Sequence, residues 1–181
     1  MEHASISLTD LPAITWGKPK PVKVQHAHLG KIAFNSKGNS ATVLFEDVKA
    51  ELNGDGGGLH AASAVAFQLP VTADLKKGFV GFLVQVRGAA DVSAGGRVSL
   101  MVSINAHAEV AKLNIEEGTA ADVQILHEQF AVEQRGAAES NPNVPPLEPL
   151  LITVMLVAKR TTVKDVAMLT VDSIDLLACF G

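Results

Sequence analysis

Residues 78–110 read GFVGFLVQVRGAADVSAGGRVSLMVSINAHAEV, and this stretch decides the fold class. Its even positions are apolar or small on both halves: Val80, Phe82, Val84, Val86, Gly88, Ala90 and Val92, then Val98, Leu100, Val102, Ile104, Ala106, Ala108 and Val110. Period-2 alternation over two such runs predicts two half-buried strands, because successive strand side chains point to opposite faces. Between them, Ser93-Ala94-Gly95-Gly96 has turn composition. The stretch is therefore expected to be a β-hairpin. If both apolar stripes face one core, the loop must hold an odd number of residues. A three-residue loop, Ser93-Ala94-Gly95, fits this, with Gly95 left-handed and Asp91 opposite Arg97 on the outer face. A five-residue loop also satisfies the parity. The outer positions Gln85, Arg87, Ser99, Ser103 and Asn105 are polar, while Leu83 and Met101 interrupt them and predict partial cover.

Outward from this stretch the same pattern recurs. Val22 to Leu29 alternates, Lys31 to Phe34 continues beyond Gly30, and Asn35 to Asn39 reads as a turn. Ser40 to Leu52 predicts a strand on Val43, Phe45 and Val48. Asn53 to Gly58 reads as a flexible hairpin tip. Ala64 to Leu69 predicts a strand stopped by Pro70, since proline cannot donate to a ladder. Asp122 to Val132 predicts another. Glu133 to Pro149, with four prolines and no alternation, predicts a long surface loop outside the sandwich. Leu150 to Ala158, LLITVMLVA, is apolar on both parities, as in a strand buried on both faces or a short buried helix; its β-branched residues and length favour the strand. Asp165 to Val171 and Ser173 to Phe180 close the chain as one or two strands. About nine to eleven strands, spaced about a dozen residues apart and without an amphipathic helix, predict a single all-β domain: an antiparallel β-sandwich, jelly-roll-like, over residues 1–181.

Three segments resemble one family, the cysteine-bearing secreted β-sandwich proteins catalogued as domain of unknown function 4360. They are Ala41 to Leu52 (ATVLFEDVKAEL), Ala64 to Ser93 (AVAFQLPV, then GFVGFLVQVRGAADVS) and Leu169 to Leu176 (LTVDSIDL). The resemblance implies an all-β fold and carries no activity. That family has paired cysteines and a signal peptide; this chain departs from it in both.

Composition narrows the function classes. The single Cys179 excludes an internal disulfide and fits a reducing compartment. Residues 1–20 lack a charged segment followed by an apolar core, so the expected location is cytoplasmic, or secreted if a signal peptide has been removed. Net charge is −4 with no basic run, which argues against nucleic acid. No apolar run approaches the ~18 residues of a membrane helix. Hydrophobic residues make up 48% of the chain and mean hydropathy is positive. That apolar content needs a core, a cavity or an interface.

The candidate sites are few. His26 and His28 share one face of a strand and could ligate a metal, with His60, His107 or His127 completing a site in space. The cupin-like continuation is missing, because Lys31 and Ile32 stand where a carboxylate would be needed. Asn53-Gly54-Asp55 resembles half of a calcium loop, but Gly56 to Gly58 supply no side-chain oxygen. Those glycines precede no Gly-Lys-Ser/Thr, so they form no phosphate loop. Cys179 is expected to be a small buried hydrophobe. Glu46 and Asp47 are adjacent, which on a regular strand sends them to opposite faces. One Trp and no Tyr leave little for a sugar platform. The expectation is a non-enzymatic sandwich, without a cofactor, that acts through self-association or as a module in a larger assembly. The alternatives are a binder of an apolar small molecule or lipid, and a metal-dependent enzyme using His26 and His28.

Overall fold

The computed structural model describes residues 14–22, 32–54, 58–73, 79–105, 107–116, 118–130 and 147–180. Among these there is no helix, and there are eleven strands. They are β1 (Ile14–Trp16), β2 (Lys20–Val22), β3 (Ile32–Lys37), β4 (Ser40–Leu52), β5 (His60–Ala73), β6 (Phe79–Val92), β7 (Gly96–Ile104), β8 (His107–Ile115), β9 (Gly118–Phe130), β10 (Leu147–Arg160) and β11 (Ala167–Phe180). Two antiparallel sheets pack together as a β-sandwich. Sheet A has the order β1-β5-β10-β7-β8, with β2 also pairing β5; sheet B has the order β3-β4-β11-β6-β9.

The inward parity of the central stretch is as read. Phe82, Val84, Val86, Val92, Val98, Leu100, Val102 and Ile104 are all buried. The expected hairpin is not there. β6 lies in sheet B and β7 in sheet A, so Ser93 to Gly96 carries the chain across the sandwich. Two stripes that face one core can sit on one sheet or on two sheets facing each other, and alternation does not distinguish them. Asp91 and Arg97 are therefore not cross-strand partners: Asp91 pairs with Met168 and Thr119, and Arg97 with Lys159. Gly95 is not left-handed either, since among the described glycines only Gly38 and Gly54 have positive φ. Its requirement is space: a Cβ there would lie 2.1 Å from Asp165 Oδ2.

The hairpin exists one strand later. Asn105, at φ 53°, ends the run that the alternation carries on to Val110, and β8 folds back on β7. Asparagine tolerates the left-handed region better than most residues. Ile104 pairs with His107, so the parity changes across the turn, and Leu113 and Ile115 are the β8 residues packed against the core. The β3–β4 connection, through Gly38 at φ 56°, is the other hairpin among the described strands.

Pro70 does not stop its strand; β5 runs on to Ala73. At Pro70 both neighbours are interrupted. β10 has a bulge between Leu147 and Leu150, and on the other side the chain leaves β1 at Gly17, whose N–H donates to the Pro70 carbonyl at 2.7 Å. No ladder bond is asked of the proline nitrogen. A second bulge, between Val171 and Ser173, joins the two expected C-terminal strands into the single β11. Opposite it, Asp47 takes φ 64°, and Glu46 and Asp47 are both exposed rather than on opposite faces. The expected loop at 133–149 lies mostly outside the described residues; its last three positions already belong to β10.

One hydrophobic cluster fills the space between the sheets. Phe45 of sheet B meets Phe67 of sheet A with ring centroids 5.9 Å apart. Trp16 of sheet A stands 5.5 Å from Phe82 and donates its indole N–H to the Gly38 carbonyl of sheet B. β10 is the middle strand of sheet A. Leu150, Ile152, Val154, Leu156 and Ala158 are fully buried on its inner side, while its outer side is only half-covered at Leu151, Thr153 and Val157 and exposed at Met155. The expected two-sided burial is thus one-sided. Among the described residues no helix is long and apolar enough to cross a membrane.

Candidate functional site

The richest polar arrangement lies at the end of the sandwich where β4–β5, β6–β7 and β10–β11 cross between sheets. Arg160 is the next even position after Leu156 and Ala158 on β10, so it points inward, and it is 4% exposed. A buried guanidinium must have its donors satisfied. Its Nε donates to the Gly58 carbonyl at 3.1 Å. Its Nη1 faces the carbonyls of Gly54, Val163 and Asp165 at 3.0, 2.8 and 3.1 Å. Both ends of the glycine-rich segment are thereby tied to the β10–β11 connection. That segment is a crossover between sheets rather than the expected hairpin tip.

Asp165 organises the same connection. Its Oδ2 accepts from the Thr161 hydroxyl at 2.8 Å, the Thr162 N–H at 2.8 Å and the Thr162 hydroxyl at 3.0 Å. The Thr161 hydroxyl, then the Thr162 N–H, hold its carboxyl below the usual range by favouring the charged form. Thr161 N–H donates to the Gly95 carbonyl, and Ser93 exchanges two bonds with Val166. All three crossovers are thus fastened together.

On the outside of this end lies a row of basic side chains. Lys159, on the middle strand of sheet A, is the direct partner of His60 on β5 and of Arg97 on β7. All three are exposed. Among the described residues neither Arg97 nor Lys159 has an ion-pair partner, whereas Lys49 pairs with Asp47 and Glu51 and Arg87 with Asp175. A depression of about 370 Å³ opens beside the row, lined by Arg97, Lys159, Ser99, Asn114, Glu116 and Val157. The outer face of sheet B differs. There Asp175 accepts from Thr42 and from Arg87 Nε, the latter at 3.1 Å, and Leu44 and Leu177 stand 46% and 45% exposed around this polar centre.

His26 and His28 lie outside the described residues. Among the described residues the histidines are not gathered: His60 and His107 sit at opposite ends of sheet A, about 23 Å apart by strand rise, and His127 is on β9 in sheet B. Among the described residues no three His, Cys, Asp or Glu side chains are grouped to hold a metal. Cys179 is half-buried on the outer parity of β11, together with Leu177, rather than in the core. Arg160 is not among the candidates read from the sequence. Its signal was available, since it continues the inward parity of LLITVMLVA. The pairing of Lys159 with Arg97 carries no local signal, because it needs the sheet order.

No protein-family model matches the chain, and no curated protein matches it. Among solved structures it is similar to the mosquito-larvicidal Cry4Aa toxin from Bacillus thuringiensis, at 13% identity over 76% of this chain and 22% of that one, with TM-score 0.36. It is also similar to the enzymatically active domain of Bacteriophage CBA120 tailspike protein 4, at 12% identity over 89% of this chain and 19% of that one, with TM-score 0.32. A third likeness is to Broad Bean Stain Virus, at 13% identity over 98% of this chain and 91% of that one, with TM-score 0.30. The chain spans less than a quarter of the first two. Likenesses this distant carry no argument about function.

Proposed function

We propose that this chain is a jelly roll that works as a non-enzymatic structural module, by association with further copies of itself. The strand order supports the jelly roll. Taking β4 to β11 in sequence, β4-β11-β6-β9 faces β5-β10-β7-β8, the interleaving that a folded-over ribbon of paired strands produces. The observation that carries association is the position of the exposed hydrophobics. The middle strand of each sheet presents one on its outer side: Met155 on β10, 38% exposed, and Leu177 on β11, 45% exposed. Met155 faces Met101 across the strand pair, and Leu177 faces Leu83, both half-buried. Apolar groups exposed on the outer side of a middle strand, each beside a second apolar side chain, suit an interface. A ligand cavity between the sheets is the less favoured reading, because Phe45, Phe67, Phe82, Leu100 and Leu156 occupy that space. The metal-enzyme reading depends on His26 and His28, and the described histidines, His60, His107 and His127, do not converge on one place.

Light scattering coupled to size-exclusion chromatography tests association. The expected mass at tens of micromolar is a multiple of 18.9 kDa, and Met155→Glu or Leu177→Glu lowers it. A mass of one chain at every concentration overturns the proposal.

A further inference from the structure

We propose that the row Arg97–Lys159–His60, with Ser99 and Asn114 beside it, is a binding site for a phosphate group on a small molecule. The argument starts from a cost. Directly opposed residues on an antiparallel pair have Cβ atoms about 5 Å apart, and like charges placed so destabilise the pair. Here Lys159 faces Arg97 on β7, an unfavourable pairing of like charges, and His60 on β5 stands on its other side. Two other cations of the described surface are matched with carboxylates, Lys49 with Asp47 and Glu51 and Arg87 with Asp175. At this row the matching is absent: Glu116 lines the same depression yet forms no ion pair with Arg97 or Lys159.

The depression supplies what an oxyanion needs. Arg97 offers a planar fork suited to two phosphate oxygens, and Lys159 a mobile ammonium. Ser99 is the outer-face neighbour of Arg97 on β7 and pairs with Asn114 on β8, so a hydroxyl and an amide stand next to the cations. The volume of about 370 Å³ suits a small ligand rather than a bare ion. Val157 provides an apolar wall for its uncharged part. The scaffold beneath is rigid, because the adjoining Arg160 is bonded to four backbone carbonyls of two crossovers. The site shares the outer face of sheet A with Met155, which precedes Val157 on that side of β10, and uses different side chains from it.

The test uses the full chain, titrated with inorganic phosphate and separately with glycerol phosphate at ionic strength held constant with sodium chloride. Amide NMR shifts and the melting temperature are followed. The expected result is saturable shifts at Arg97, Ser99, Asn114 and Lys159 and a rise in melting temperature, with glycerol phosphate binding at least as well as phosphate. Arg97→Gln and Lys159→Gln each weaken binding by about tenfold or more, as loss of one charged hydrogen bond implies. Lys159→Glu gives a second, ligand-free readout. It opposes unlike charges, so it raises the melting temperature without phosphate and removes the response to phosphate. Non-saturating shifts reproduced by sodium chloride, or an unchanged response in the double variant Arg97→Gln, Lys159→Gln, overturn the proposal.

Discussion

At the scale of single residues, the crossover end depends on two charged side chains with different physics. Arg160 is buried, and its guanidinium is the donor for carbonyls of two loops. Replacing it with Met keeps much of the stem but leaves those carbonyls without their donor. The expected loss is about 3 kcal/mol, seen as a fall of about 10 °C in melting temperature. A change within about 2 °C would show that water replaces the guanidinium at little cost. Asp165 is solvent-accessible, and its effect is read through pH. Its folded pKa is lowered from 3.8 by the Thr161 hydroxyl and the Thr162 N–H. A group with a depressed folded pKa stabilises the fold fully above its unfolded pKa and loses that contribution as pH falls through the folded value. Asp165→Asn is therefore expected to melt below the parent chain at pH 7, with the gap closing in strongly acid solution. A gap independent of pH would assign the effect to shape instead of charge. Gly88, in the middle of β6, is constrained by space instead of charge. A Cβ there would lie 2.0 Å from the Thr170 carbonyl oxygen, next to the β11 bulge. Gly88→Ala is expected to cost about 1–3 kcal/mol in denaturant unfolding.

At the scale of elements, β6 and β7 are organised by their inner stripes, although they belong to different sheets. Val84 is 1% exposed at the middle of β6. Val84→Asp puts an unpaired carboxylate there, at a cost of several kcal/mol that approaches the whole stability of a typical domain. The expected outcome is an unfolded or insoluble chain by circular dichroism; a cooperatively melting variant would mean the strand faces the other way. The irregularities of the strands fall where they interlock. Pro70 sits where both neighbours of β5 are interrupted, and the Asp47 kink in β4 sits across from the β11 bulge.

At the scale of the whole molecule, every connection between β4 and β11 except β7–β8 changes sheet, so strands distant in sequence form most ladders. β4 pairs with β11, and β5 with β10. Loop-closure entropy must be overcome before such pairings stabilise anything, which makes refolding slow. Trp16, the single tryptophan, reports on this, because it reaches from sheet A to Phe82 and Gly38 of sheet B. Its fluorescence in stopped-flow refolding is expected to recover over milliseconds to seconds; recovery complete in microseconds would contradict the topology.

What the sequence determined by itself was the all-β class, most strand positions and the inward parity of β6 and β7. Ser40 to Leu52 is β4 as read, and Phe82, Val84, Val86, Ala90, Val92, Val98, Leu100, Val102 and Ile104 are buried on the expected parity. These are local matters: the polar–apolar rhythm records on which side each residue meets the core, and burial answers to it directly. Tertiary structure alone decided the sheet order. The parity of two stripes is the same for a hairpin and for an arch between facing sheets, so β6 and β7 could be assigned to one sheet on rhythm alone when they occupy two. The candidate site follows that order. Lys159 meets Arg97 only because β10 lies between β5 and β7, and Arg160 reaches Gly54 and Gly58 only because the β4–β5 crossover ends beside it. Charge, hydrogen bonding and like-charge contact depend on neighbours across strands, and no spacing along the chain encodes which strand will be the neighbour.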